Sequence, residues 1–325
     1  MEQILLCGNT KNYARGICQI LLDTRQQTLS HLKQVIFMKD PRCLLFDKHN
    51  HLFVASFNDN NGGVSSYYVN DDYDELDNYF EEDTAPIALA IDHQHQLLFS
   101  LHHNGHLYVY SIKKDGTLYK EDHYIFPHTT SHMIVTLDHH LLVCDDKDPK
   151  MSLLSYNQYG KCIEHKTIHF EGIEGYQQLI FHPHHYYLYA ISQRTHRLHI
   201  FTYNDTHIQE INTLNTLPQH QKGQCIQITL DNKGEVLYCL NRGCNTITIF
   251  HLDEDGKQAT YMQSISSEGV APHAMNLNAS GQFLLVSNEL SHNLTLFKTT
   301  NNGLLTLVSH DTEIPDLRQI ITSEL

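Results

Sequence analysis

Positive charge is scarce in this chain of 325 residues: Lys and Arg together number 22 against 37 Asp and Glu, a formal net charge of -15. A nucleic-acid partner needs basic stripes that neutralise phosphates, so that class is set aside. Long apolar runs are also missing. No stretch approaches the ~18 apolar residues of a membrane span, and the start, "MEQILLCGNT", has no basic segment leading into an apolar one. The expectation is a cytoplasmic protein with no membrane partner. The eight cysteines (Cys7, Cys18, Cys43, Cys144, Cys162, Cys225, Cys239, Cys244) make no CxxC, and several lie in apolar runs such as "LLVCDD" and "VLYCLN". Buried free thiols are expected in place of a disulfide or zinc framework. What remains, 41% hydrophobic residues with 10% aromatics, is the composition of an ordered globular chain that buries a large core.

The chain repeats itself. Short β-rich runs of one kind occur as "ILLCGN" near Leu5, "LFVAS" near Phe53, "LLFSL" near Leu98, "LLVCD" near Leu142, "YLYAI" near Leu188, "VLYCL" near Leu237 and "FLLVS" near Leu284, spaced 44 to 49 residues apart. Each later copy follows a second apolar run and a polar turn, as in "CLLFDKHNHLFVAS", and precedes alternating runs such as "GHLYVYSI" and "NTITIF". Four strands per unit and seven units predict an all-β, seven-bladed β-propeller. The first unit lacks its opening run, while "DLRQIITS" (residues 316 to 323) is left over near the other end. The C-terminal strand should therefore join the N-terminal blade and remove an open edge. Residues 1–325 should then be one domain. The acidic stretch "DDYDELDNYFEED" (residues 71 to 83) reads as a solvated outer strand and loop.

With the strands of a blade named A to D from the axis outward, the starts of A and the ends of B share one mouth of the propeller, and the A–B turns lie at the other. This sorts the 26 histidines. His49 and His51, His93 and His95, His139 and His140, and His184 and His185 fall in A–B turns of four blades that should splay apart, so they read as exposed turn residues and no metal site is expected. The opposite mouth gathers Arg42, His128 to His132, Gln177, Gln178, Gln193, Asn241, Arg242, His273, Asn288 and Glu289, among others. Such a funnel of cations, imidazoles and a few carboxylates suits an anionic small molecule.

The stretches "GYQQLIFHPHHYYLYAISQR", "LYCLNRGCNTITIFHLDEDGK" and "APHAMNLNASGQFLLVSNELSHNLTLF" resemble the propeller-type lactonases, the 6-phosphogluconolactonase family, whose blades read GPRHxxFHPxxxYxYxxNE, LYxxNRGxxSIxVF and xPRxFxxxxxGxFLLVAN. The resemblance spans essentially the whole chain. It implies a hydrolase of the pentose phosphate pathway that opens 6-phosphogluconolactone to 6-phosphogluconate at the axial mouth, with no cofactor. By position, Gln177 and Gln178 stand where that family has Arg and His, and Gln193 where it has Glu. The family's His in the preceding blade falls on His132, or on His128 in another register. Asn241, Arg242 and Gly243 match, and His273 replaces an Arg after the matching Pro272.

An amide has no titratable acceptor near neutral pH and cannot act as a general base. Catalysis therefore falls to Glu289 or His132. Arg42, Arg242 and His273 would hold the anion, and Gln177, Gln178 and Gln193 would bind hydroxyls. The same three amides also fit a catalytically silent propeller that binds a carbohydrate or another small polar ligand, and a third reading is an interaction scaffold that uses its rim.

Overall fold

The second strand of each blade is an unbroken apolar run, and such a run is stable only if both of its faces are covered. "LLFSLH" (Leu97–His102) is buried at every position, while the inner strand "PIALAID" (Pro86–Asp92) alternates buried and half-buried and the outer strand "LYKEDHYI" (Leu118–Ile125) is half-buried or exposed after its first residue. This gradient from buried to polar recurs along the chain. A computed structural model describes residues 1–9, 15–58, 60–70, 72–172, 175–192, 194–204, 207–313 and 317–322. They form 28 strands in seven four-stranded sheets, with no helix among the described residues. The fold is the all-β, seven-bladed propeller that the repeat predicts. Strand Gln319–Thr322 is the inner strand of the sheet that continues with Glu2–Asn9, Arg15–Asp23 and Thr28–Phe37, so both ends of the chain share one blade.

The chain divides into two compact units. In residues 7–18 and 34–175, the second, third and fourth blades pack through clusters such as Phe53, Leu98 and Tyr108, and Phe99, Leu141 and Leu154. In residues 1–6, 19–33 and 176–325, the fifth to seventh blades pack through Tyr189, Leu237 and Phe250, and through Tyr238, Leu284 and Phe297. Each fully buried side chain of this size contributes about 1.5–3 kcal/mol, so the facing sheets hold each unit together without helices.

Five of the eight cysteines are buried and three partly buried. Burial pushes the Cys18 thiol up to about 11 and Cys144 to about 12, which leaves both as inert hydrophobes. The acidic segment forms the outer strand Asp74–Glu82, where Glu81 pairs with Lys120 of the next blade.

All three inner strands that open on a proline, at Pro41, Pro86 and Pro272, are irregular at that end. The pairing of Pro272–Leu277 with Phe283–Asn288 skips a residue between Pro272 and Ala274, which makes His273 the extra residue of a β-bulge. The same skip between Pro41 and Cys43 does this for Arg42. Proline lacks an N–H and is tolerated at the first residue of an edge strand, and the bulge beside it re-aims the next side chain.

Candidate functional site

Side chains alternate along a strand, and at the ends of the second strands this alternation separates structure from chemistry. Asn241 is fully buried and donates through Nδ2 to the Thr216 carbonyl (3.1 Å) and to Thr248 Oγ1 (2.9 Å). Asn288 makes the matching bonds to the Ser267 carbonyl and Thr295 Oγ1, both 3.1 Å. Each amide nitrogen ties its strand to the loop that leads into the blade, while each Oδ1 is buried without a hydrogen-bond partner. These two residues, expected at the mouth, are clamps. The residues immediately after them, Arg242 and Glu289, turn the other way. Gly243, at a φ of 94°, makes the left-handed turn directly after Arg242.

Arg242, Glu289 and the bulged His273 meet. Arg242 Nη2 lies 2.5 Å from Glu289 Oε2, Arg242 Nη1 lies 3.5 Å from His273 Nδ1, and His273 Nδ1 lies 3.5 Å from Glu289 Oε2. Their side chains remain 34%, 27% and 37% exposed for Arg242, Glu289 and His273, so solvent and a ligand can reach all three. Burial works to raise the Glu289 carboxyl, but the hydrogen bond and charge of Arg242, followed by those of His273, outweigh it and hold the group below its ordinary value. Glu289 is thus an ionised, hydrogen-bonded carboxylate at neutral pH. The cluster offers one proton acceptor and two nitrogen groups that favour anions. Clefts of about 560, 620 and 660 Å³ elsewhere in residues 176–325 are not lined by any of these three residues.

The other residues expected at the site have other engagements. Gln178 accepts the backbone N–H of Ile228 at Oε1 (2.7 Å) and donates from Nε2 to the Ile228 carbonyl (3.3 Å), so both ends of its amide serve the neighbouring blade. Gln177 donates its backbone N–H to the Ile191 carbonyl, and its side-chain Oε1 is buried without a hydrogen-bond partner. Gln193 lies outside the described residues.

In the other unit, Arg42 folds onto Asp40, with Nε and Nη2 at 2.9 and 2.5 Å from Oδ2. His132 opens the inner strand His132–Val135, and burial pushes its ring down to about 4, so it is a neutral imidazole at pH 7. His128 sits between Ser152 Oγ (2.9 Å from Nε2) and Asp145 Oδ2 (3.4 Å from Nδ1). That order of groups is the one a serine nucleophile uses, yet Ser152 is fully buried and Lys150 also holds Asp145, at 3.3 Å. The trio clamps a loop to its blade.

Two of the turns expected to splay apart meet. His95 and His139, from A–B turns of adjacent blades, lie with ring centroids 4.8 Å apart, because those turns are close enough for long side chains to bridge them.

Among known proteins, a family model described as "Lactonase, 7-bladed beta-propeller" matches residues 3–321. The 6-phosphogluconolactonase of Bacillus subtilis is 25% identical over 330 residues, covering 94% of each chain. A solved structure of a protein from Lactobacillus plantarum superposes with a TM-score of 0.92 at 25% identity over 99% of both chains. A periplasmic gluconolactonase of Pseudomonas aeruginosa reaches a TM-score of 0.88 at 18% identity, covering 99% of this chain and 98% of that one, and shares the fold.

Proposed function

The chain belongs to the lactonase family of seven-bladed β-propellers, and we propose on that ground that it hydrolyses a sugar lactone, with 6-phosphogluconolactone as substrate and 6-phosphogluconate as product. The observation that carries the reading is the Arg242–His273–Glu289 cluster. Water attacks the lactone carbonyl as Glu289 takes its proton. The ring C–O bond then breaks and the proton passes to the departing ring oxygen, leaving a carboxylic acid that ionises. Arg242 and His273 face the negative charge, either on the carbonyl oxygen as it develops or on a phosphate. A guanidinium has five N–H donors, and Glu289 engages part of that set, so Arg242 can hold an anion without releasing the carboxylate. Gln178 has no part in this scheme, because its amide is already bonded to Ile228.

A second reading, a propeller that binds a carbohydrate without turning it over, draws support from the amides that stand at 177, 178 and 193 where the resembled lactonases have Arg, His and Glu, which leave no titratable group at those positions. Purified protein separates the two. Hydrolysis predicts lactone consumption well above the spontaneous rate; sugar binding with a rate equal to background favours the second reading. In Arg242→Ala, KM for a phosphorylated lactone should rise at least about tenfold, as expected for loss of a hydrogen bond to a charged group, and by less for the unphosphorylated sugar. An equal rise for both would remove the phosphate from Arg242.

We further propose that residues 1–325 fold as one cytoplasmic domain. The family match runs through 3–321, the strand near the C-terminus lies in the N-terminal blade, and eight cysteines outside any disulfide suit a reducing compartment. A single calorimetric transition is expected on heating, and two separable transitions would refute the single domain.

A further inference from the structure

Asp92 ends the inner strand of the third blade and is 2% exposed. Its Oδ1 accepts the backbone N–H groups of Gln94 (2.9 Å) and His95 (3.1 Å). Asp47 and Asp231 cap their own A–B turns in the same way. Oδ2 has a different environment. His95 Nδ1 lies 2.7 Å from it, the Tyr156 hydroxyl donates to it at 2.9 Å, and His139 Nδ1 lies 3.0 Å away. In the second blade the matching oxygen, Asp47 Oδ2, faces one imidazole nitrogen, His51 Nδ1 at 2.8 Å, among the described residues.

A carboxylate oxygen has about two lone-pair sites, and the whole group about four. Five partners surround Asp92, three of them on one oxygen. If both imidazoles donate from Nδ1, one donor at Oδ2 lacks a lone pair; if either holds its proton on Nε2 instead, its bare Nδ1 faces carboxylate lone pairs and is repelled. A cation in place of the two Nδ1 protons removes both conflicts. Oδ2 then serves the ion and Tyr156, and each Nδ1 gives its lone pair to the ion. We propose that Asp92, His95 and His139 form a binding site for a divalent transition-metal ion of the zinc type, with the Tyr156 hydroxyl orienting the carboxylate.

The spacing is close. Ligands at about 2.0–2.2 Å from a tetrahedral zinc sit about 3.3–3.6 Å from one another, so the two oxygen-to-nitrogen separations here, 2.7 and 3.0 Å, would widen by about 0.6 and 0.3 Å as the side chains turn onto the ion. All three ligand atoms lie within 4.8 Å of one another. Two nitrogens and one oxygen suit borderline ions over calcium or magnesium, which prefer all-oxygen sites. His95 and His139 are 23% and 32% exposed, so water can complete the coordination shell. None of these residues belongs to the cluster proposed for hydrolysis, and the site stands whether or not that reading does.

The test is equilibrium dialysis of chelator-treated full-length protein against zinc, with cobalt(II) as a spectroscopic probe. One retained equivalent and a ligand-field absorption band are expected. His95→Gln and His139→Asn should each weaken binding more than about tenfold; Asn is chosen at 139 because that residue has a φ of 61° and Asn accepts left-handed backbone. Tyr156→Phe should weaken it about 10- to 100-fold, as loss of an orienting partner does. His184→Gln, in an exposed turn of another blade, should leave it unchanged. Circular dichroism checks that each variant is folded, and either histidine variant suffices. No retained equivalent in the wild type, or equal retention in His95→Gln and His139→Asn, would overturn the proposal.

Discussion

Replacing Glu289 by Gln should lower kcat for a sugar lactone by about 100- to 10,000-fold, the usual contribution of a general base, while the protein stays folded. The amide keeps the shape and one acceptor but cannot take a proton. Little stability should be lost, because a partly exposed ion pair contributes about 0–1 kcal/mol. The pH dependence has a definite sign. The folded carboxyl sits below its ordinary value, which is about 4.3, under the influence of Arg242 and His273. Its stabilisation is therefore fully present above that ordinary value and is lost as pH falls through the folded one. The difference in melting temperature between wild type and Glu289→Gln should close on acidification below about pH 4, and the acid limb of kcat/KM should lie in the same region. His132, held to about 4 by burial, would give a limb at a similar pH, so the substitutions decide between the two bases. Full activity in Glu289→Gln together with its loss in His132→Gln would transfer the base to the imidazole.

The second large effect is structural. Gln178→Ala should cost about 2 kcal/mol of stability and leave lactone turnover nearly unchanged. The side chain satisfies both backbone groups of Ile228 in the next blade, and Gln227 repeats the arrangement with Met275 at 2.7 and 2.9 Å. These two stitches connect the inner strands of the fifth, sixth and seventh blades in series. Leaving a buried donor or acceptor unpaired costs about 1–3 kcal/mol, and water entering the gap offsets part of it. Gln227→Ala should show a comparable loss, measured by denaturant midpoint at unchanged m. Should Gln178→Ala instead raise KM for the lactone with no shift in the midpoint, the amide would belong to the substrate after all.

Much of the fold is legible along the chain. A spacing of 44 to 49 residues between apolar runs is enough to predict seven blades, since a strand buried on both faces must be apolar throughout and a repeated run implies a repeated sheet. The leftover C-terminal run likewise predicts the shared blade. Arg242 and Glu289 were visible as the residues after two equivalent strand ends, and Pro272 marked where His273 would stand. The bulge that aims His273 toward them had no independent signal.

Gln178, Asn241 and Asp92 were not legible in this way. Gln178 meets Ile228 across 50 positions and Asp92 meets His139 across 47. Periodicity says that such residues recur once per blade, but whether an amide binds substrate or a neighbouring strand depends on which groups the adjacent sheet leaves unpaired. The number of blades, their strand order and the meeting of the two ends are written along the chain, because they depend on local alternation and on the need to cover apolar faces. Which polar side chains a neighbouring blade engages, and which stay available, emerges only on packing, because hydrogen bonds reach only about 3 Å and nothing local sets distances that fine.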